Sequence, residues 1–247
     1  MSNAQVPIVN AGEKYLYGMN LSRTSNTVIA AAAGECRDST NVVDILFSAA
    51  GSCDISTNGA NGLDTGTVAA STFYAVYAIA DSSKHNDPAM LLSTSFSSPT
   101  LPFGYDVMRR IGAVLTDGSS HILQFQQYDN GKDRAMWYEV AISELSAGTS
   151  ATYAAVDLAT SVPPVRCEVI MLVAYTANSA TNKAHFLPFG VTQTNGMVQF
   201  GYGVAAAQVG MARIPSALDS STPKIQYKVD SASDALTLST AGYVDQL

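Results

Sequence analysis

The triplet Asp64-Thr65-Gly66 is the part of the sequence closest to a catalytic motif. Asp-Thr-Gly is the triplet of aspartic proteases, in which two carboxylates share one proton. In those enzymes the triplet ends a hydrophobic strand, whereas here the polar, glycine-rich residues 58–62 precede it. The context therefore favours an Asx-type loop, in which the Asp64 carboxylate accepts bonds from nearby backbone N–H groups.

Other side chains that could bind a metal or carry out acid–base chemistry are scattered. The histidines are His85, His121 and His185, and none lies in an H-E-x-x-H motif. Further aspartates in or beside loops are Asp38, Asp44 and Asp54, without the spacing of an EF-hand. We expect surface or capping roles for these aspartates. We predict no catalytic, metal-binding or cofactor-binding residues, and no cofactor.

Two smaller motifs are best explained by structure. Gly201-Tyr202-Gly203 lacks the third glycine of a dinucleotide fingerprint and predicts a β-bulge. Arg109 and Arg110 should point to opposite sides of a strand, one inward or toward an interface and the other outward. We expect one of them to pair with a carboxylate such as Asp106 or Asp117.

The sole tryptophan, Trp137, is expected to anchor the core or a subunit contact.

The three cysteines predict a reducing site of assembly. Cys36, Cys53 and Cys167 are odd in number and widely spaced, with no C-x-x-C pair. We expect buried free thiols, which fits assembly in a cytoplasm. Residues 1–5 lack the basic and apolar character of a signal peptide.

Composition argues against binding to nucleic acid. The chain has 247 residues, a net charge of −7 and only 13 lysines and arginines, whereas phosphate binding needs clustered cations. Charged residues are 13% of the chain, about half the usual share of roughly 25%. No run of 18 apolar residues exists, so no membrane span is expected. Few charges favour short strands and large subunit contacts.

Short strands with turn residues between them dominate the pattern, and no long amphipathic helix is predicted. Predicted strands cover residues 15–21, 27–33, 42–49, 72–80, 90–95, 107–116, 121–127, 135–142, 152–158, 167–176, 184–189, 197–204, 224–229 and 235–239. Residues 51–66 are predicted as a loop and residues 37–41 as a turn, with hairpin turns at Asp117-Gly118 and Asn130-Gly131. Residues 204–212 allow a weak helical alternative.

This spacing predicts an all-β fold, an antiparallel β-sandwich of jelly-roll type. It fits one large domain or two small, closely packed β domains. We assign residues 1–14 to an N-terminal arm and 15–247 to the sandwich, with a faint sub-boundary near 146–150.

Several segments in order resemble tailed-bacteriophage virion proteins of the tail-fibre or minor structural type, or head decoration proteins. The resemblance covers most of residues 15–140 and, less clearly, the C-terminal end. It is carried by residues 34–41, residues 62–66, the aromatic strand 73–79, residues 92–95, residues 99–105 and Arg109-Arg110-Ile111-Gly112, with Ile225-Gln226-Tyr227 and residues 242–245 near the end. The resemblance implies a β-sandwich in a phage particle and supplies no catalytic residues.

We therefore expect a non-enzymatic virion structural protein, assembled in the host cytoplasm. Its expected partners are further copies of itself, as a homotrimer, and other virion proteins. One alternative is a carbohydrate- or receptor-binding module for host attachment, which requires exposed aromatics beside Asp or Asn in a groove. The other is a surface-polysaccharide hydrolase or aspartic protease, which requires two facing acids in a cleft.

Overall fold

The computed structural model describes residues 15–129, 133–201 and 207–247. The predicted N-terminal arm 1–14 and the Asn130-Gly131 turn lie outside these residues, as does most of the predicted bulge at 201–203. The described residues form strands, turns and loops without a helix, which confirms the all-β prediction. They contain no apolar helix long enough to cross a lipid bilayer.

The strands are short in the first half of the chain and longer in the second. The first ten are β1 (Leu16–Gly18), β2 (Leu21–Arg23), β3 (Val28–Ala31), β4 (Gly34–Arg37), β5 (Asp44–Phe47), β6 (Gly51–Asp54), β7 (Gly62–Leu63), β8 (Phe73–Ala80), β9 (Ala89–Ser93) and β10 (Val107–Leu115). The next ten are β11 (Phe125–Asp129), β12 (Asp133–Gly148), β13 (Ala154–Asp157), β14 (Cys167–Thr176), β15 (Ala184–Pro188), β16 (Val198–Phe200), β17 (Ala207–Pro215), β18 (Ala217–Asp219), β19 (Thr222–Val229) and β20 (Ala235–Gln246).

These strands form several sheets that pack together as in a β-sandwich. The sheet orders are β1-β4-β5, β2-β3-β6, β10-β8-β9-β7, β11-β12-β20-β14-β17 and β13-β19-β15-β16, with β18 beside β19. The pairings are antiparallel except for the short β7–β9 pair. One continuous apolar core runs from Met19 to Tyr243 and takes side chains from every sheet.

The long five-stranded sheet joins both halves of the chain. Strand β11 precedes the predicted sub-boundary at 146–150, and β12 ends within it. Strands β14, β17 and β20 of the same sheet follow it. Strand β20 lies between β12 and β14 in this sheet. It therefore hydrogen-bonds both to β12, which ends at the predicted sub-boundary, and to β14, which follows that sub-boundary.

Three predictions of local structure are wrong. The predicted strand 15–21 is broken into β1 and β2, because Gly18 and Met19 have φ values of +64° and +55°. The predicted loop 51–66 contains β6 and β7. Residues 207–215, which overlap the helical alternative, form strand β17. A long partner strand, β14, imposes the extended conformation on this segment through nine paired residues.

Candidate functional site

Asp64 holds a loop together through hydrogen bonds from three residues. Its carboxylate accepts from the backbone N–H of Thr65 at 2.8 Å, from the Ser93 hydroxyl at 2.6 Å and from the backbone N–H of Thr100 at 3.1 Å. The predicted bonding to a neighbouring N–H is confirmed. The bonds from Ser93 and Thr100 go beyond that prediction, because they connect the Asp-Thr-Gly triplet to β9 and to the segment that follows β9. The partners of this carboxylate among the described residues are hydroxyl and amide donors, and none is a second acid.

Asp38 and Asp54 also cap loops, as predicted. The buried Asp38 carboxylate accepts from the backbone N–H groups of Thr40, Val42 and Val43. Burial alone would raise the pKa of Asp38, but these bonds and one from the Thr40 hydroxyl hold that pKa below its ordinary value. Asp54 accepts from both the N–H and the hydroxyl of Ser56.

Asp44, the first residue of β5, takes part in a small polar cluster. It lies 2.8 Å from Arg37 Nε, and the Tyr15 hydroxyl donates to it at 2.8 Å. Burial and this bond raise the pKa of Tyr15 to about 12. The cluster joins β4, β5 and the residue before β1, so its role is structural.

The arginine pair behaves differently from the prediction in two ways. Arg109 and Arg110 do lie on opposite sides of β10, but neither points outward: Arg109 is 7% exposed and the Arg110 side chain 16%. Arg110 pairs with Asp245 on β20, not with Asp106 or Asp117. The reason is that both carboxylates already have partners: Asp106 accepts from Ser82 in the turn after β8, and Asp117 accepts from the N–H groups of Ser119 and His121 in its own turn.

A third buried arginine, Arg134, has a role that the sequence reading missed. Its guanidinium donates to the backbone carbonyls of Met19 at 2.9 Å and Ile111 at 3.1 Å, and to that of Gly18. The only sign of this role in the sequence is a charged residue among the alternating side chains of β12. Through these hydrogen bonds, Arg134 connects the segment between β1 and β2 to the long sheet.

The histidines are dispersed, and their partners differ. His85 and His121 are near Asp81 and Asp117, each at 3.8 Å. His185 is buried, with Nδ1 3.0 Å from the Asn195 carbonyl and Nε2 2.8 Å from Asp230. Both ring nitrogens of His185 lie within hydrogen-bonding distance of an oxygen atom, and which of them donates depends on the tautomer. Within the described ranges, no three His, Cys, Asp or Glu side chains are grouped to hold a metal ion.

An open groove of about 480 Å³ lies beside β13 and β19. Tyr153, Gln226, Lys228 and residues 191–194 line it. Lys228 Nζ lies 5.3 Å from the centre of the Tyr153 ring and donates to the Thr194 carbonyl at 2.7 Å. Gln226 Nε2 donates to the Pro188 and Val191 carbonyls. The groove combines the Tyr153 ring with polar side chains. Of these, Gln226 and Lys228 already donate to backbone carbonyls at the edge of the groove.

A partly exposed apolar surface is the outer side of the long sheet, which we call the open face. It comprises the side chains of β12, β20, β14 and β17 that point away from the core. Ile170, Ala241 and Val244 form a buried cluster on it, with Trp137 and Ala135 packed against them. Next to this cluster, Leu172 is 36%, Met211 58% and Val209 79% exposed.

The paired part of the open face carries few charged side chains, with Asp133 as the one at the start of β12. Its charged side chains on β14 and β17 are Glu168 and Arg213, and neither forms an ion pair with another described residue. Single exposed apolar residues are normal on a protein surface, whereas a contiguous patch marks an interaction site.

Strand β17 forms one border of this open face and is the last strand of its sheet. It pairs with β14, and no other described strand pairs with it. An edge strand is usually blunted by lysine, proline or a bulge. Residues 207–214 contain no lysine or proline, and the β14–β17 register is unbroken.

A scan against protein-family models, a search of curated proteins and a search of solved structures find no match to this chain. The geometry of its surfaces is therefore the basis for a functional proposal.

Proposed function

We propose that this chain is a non-catalytic structural subunit of a tailed-phage particle, which assembles in the host cytoplasm as a symmetric oligomer. The observation that carries the assembly role is the open face. Its exposed apolar residues are Leu172, Met211 and Val209, it carries few charges, and at its border β17 pairs with no described strand other than β14. Burying such a surface against another protein removes apolar area from water without desolvating ions.

The polar side chains support the same proposal. Asp38 accepts bonds from its own loop and Asp64 also accepts from a neighbouring segment, while Arg134 donates to backbone carbonyls and Arg110 pairs with Asp245. These groups hold the scaffold in place. The ordered resemblance of residues 15–140 to phage virion proteins gives the particle as the setting.

The location is tested by fractionating purified phage particles that carry the gene for this chain. We expect the chain to be detected by mass spectrometry in either the head or the tail fraction. Its presence only in the soluble lysate would contradict the proposal. The oligomer is tested separately by sedimentation of the purified chain, where the threefold state expected for a phage appendage and a twofold state differ in mass.

A second candidate function is binding of a host-surface glycan in the groove beside β13 and β19. The observation in its favour is the Tyr153 ring next to Gln226 and Lys228. Aromatic rings stack on sugars, and amide and ammonium groups bond to hydroxyls. Binding to a glycan array that is lost in Tyr153→Ala, but kept in Tyr17→Ala, would favour this function. Tyr17 is 75% exposed on a different sheet and provides the matched control.

A further inference from the structure

We propose that the groove beside β13 and β19 binds a sugar ring that carries one carboxylate, such as a uronic acid or a sialic acid, and that the Lys228 ammonium pairs with this carboxylate. The inference rests on glycan binding, the second candidate function, and it names the chemical class of the glycan. It does not depend on the assembly role of the open face.

The charge of the groove lining is the first argument. Among the described residues that line the groove, Lys228 is the one charged side chain. No described acid lies within ion-pairing distance of its ammonium. In a chain with a net charge of −7, a cation without an acidic partner favours an anionic ligand.

Lys224 provides an internal comparison on the same face of β19. Its Nζ lies 5.2 Å from the centre of the Phe189 ring, much as Lys228 Nζ lies 5.3 Å from the centre of the Tyr153 ring. Lys224, however, also pairs with Asp219 at 2.6 Å. The two lysines therefore differ in whether an acid of the chain neutralises them, and of the two it is Lys228 whose charge is left for a ligand.

The Lys228 ammonium is held at the groove without being neutralised. It donates to the Thr194 carbonyl at 2.7 Å and contacts the Tyr153 ring. A lysine ammonium carries three protons, so the bond to Thr194 leaves two for other acceptors. A carboxylate oxygen is a stronger acceptor than a neutral one, because it carries negative charge. Lys228 can thus donate to a bound carboxylate while it keeps its own contacts.

An acid close to Lys228 along the chain, Asp230, already has other partners. One of its carboxylate oxygens lies 2.8 Å from His185 Nε2, and the other accepts from the backbone N–H of Lys183 at 2.9 Å. The Lys183 ammonium donates to Gln199 at 3.3 Å. Two lysines thus accompany one aspartate at this end of the sheet, so Asp230 does not cancel the positive charge beside the groove.

The rest of the lining suits a ligand that is rich in hydroxyl groups and carries one charge. Thr152, Thr192 and Gln193 are exposed there, and their hydroxyl and amide groups match sugar hydroxyls. Tyr153 adds apolar ring surface. A single lysine is a point charge that matches a carboxylate, whereas phosphate is usually bound by arginine forks or clustered cations. The volume of about 480 Å³ lies within the roughly 300–1,000 Å³ typical of small-ligand sites.

The groove wall formed by residues 191–194 is held in place from the sheet beneath it. Gln226 Nε2 donates to the Val191 carbonyl at 3.2 Å, and Gln199 Nε2 donates to the Asn195 carbonyl at 2.7 Å. A wall that is fixed before the ligand arrives loses little conformational entropy on binding. The side chains of this sheet therefore shape the groove in advance.

The test compares sugars that differ in the carboxylate. Binding of sodium glucuronate, N-acetylneuraminate and glucose to the purified chain is measured by NMR titration. We expect each acid to bind about tenfold more tightly than glucose at low salt, as for one charge-assisted hydrogen bond. Added salt should weaken the binding of the acids and leave glucose unaffected. These measurements on the wild-type chain do not depend on the folding of any variant.

Two lysine variants then locate the charge. Lys228→Gln should abolish the preference for glucuronate over glucose, while Lys228→Arg should keep it. Lys224→Gln is the matched control, because it removes a lysine from the same face of the same strand, but one that Asp219 neutralises. It should bind glucuronate as tightly as the wild-type chain does.

The outcomes separate this inference from the proposed functions. Glucuronate that binds no more tightly than glucose overturns the inference and leaves glycan binding intact. Acetate that binds as tightly as glucuronate, or inorganic phosphate that binds more tightly, overturns the assignment to an acidic sugar. Equal losses in Lys228→Gln and Lys224→Gln overturn the role of Lys228. Failure to bind either acid or any glycan of an array overturns both the inference and glycan binding, while particle fractionation and sedimentation test assembly separately.

Discussion

Arg110 on β10 and Asp245 on β20 form a two-pronged ion pair between residues 135 positions apart, with Nη2 3.0 Å from Oδ1 and Nη1 bonded to Oδ2. The Asp245 side chain is 3% exposed, so water does little to screen the pair. The contact connects the four-stranded sheet of the first half to the long sheet. Electrostatic attraction to Asp245 opposes the effect of burial and raises the pKa of Arg110.

Breaking this pair from one side should be costly. Arg110→Gln leaves the Asp245 carboxylate buried without its cation, and we expect the free energy of unfolding to fall by about 3 kcal/mol. The double variant Arg110→Gln/Asp245→Asn should lose less than the sum of the two single changes. Asp219→Asn, which removes the more exposed partner of Lys224, should cost much less, because water screens an exposed ion pair. Urea unfolding measures all four, and equal losses for Arg110→Gln and Asp219→Asn would contradict the argument.

Asp234 should make the fold sensitive to acid. This carboxylate is fully buried and accepts from the Tyr175 hydroxyl, the Asn178 and Ser231 N–H groups and the Asn182 amide. Burial opposes ionisation, but these bonds lower the pKa of Asp234 below its ordinary 3.8. The folded state therefore binds the proton more weakly than the unfolded state.

The sign of the pH effect follows from that lowered pKa. The stabilisation from Asp234 is complete above the unfolded pKa of about 4 and is lost as the pH falls through the folded pKa. Asp234→Asn should thus lower the free energy of unfolding at pH 7 by about 2 kcal/mol, and the difference from wild type should shrink toward pH 3. Chemical unfolding at several pH values tests this, and a difference independent of pH would refute it.

Gly242 should tolerate no side chain. A Cβ at this position would overlap the backbone carbonyl of Met136 on the neighbouring strand β12. Backbone paired on both sides cannot move aside easily, so Gly242→Ala should cost about 3 kcal/mol, at the upper end for a steric change in a core. Gly118→Ala is the matched control, because a Cβ there meets nothing within 4 Å and the φ angle needs no glycine. Thermal unfolding should show a large fall in melting temperature for the first variant and little change for the second.

The three cysteines should be unreactive in the folded protein. Cys36, Cys53 and Cys167 are free and buried, as the sequence predicted. Burial raises the pKa of each thiol to about 12, so almost no reactive thiolate forms at neutral pH. A thiol reagent such as dithionitrobenzoate should react with none of them in buffer and with three per chain in denaturant. Rapid reaction of even one thiol in buffer would contradict this burial.

Strand β17 illustrates where the sequence pattern misled. Its inward positions are Gln208, Gly210, Ala212 and Ile214, whereas the exposed positions include Val209 and Met211. The usual alternation of apolar inside and polar outside is thus partly inverted. A strand that turns glycine inward and exposes methionine has no clear period of two, which left the helical alternative open. The same inversion produces the open face.

The sequence by itself determined the all-β class, most strand positions, the burial of the thiols and the loop roles of Asp38, Asp54 and Asp64. These properties depend on alternation and turn chemistry within about ten residues of chain. Tertiary structure alone decided that Arg110 meets Asp245, that Arg134 connects the segment between β1 and β2 to the long sheet and that Lys228 contacts Tyr153. Strand order joins residues more than a hundred positions apart, and the local pattern of side chains does not encode which edges pair.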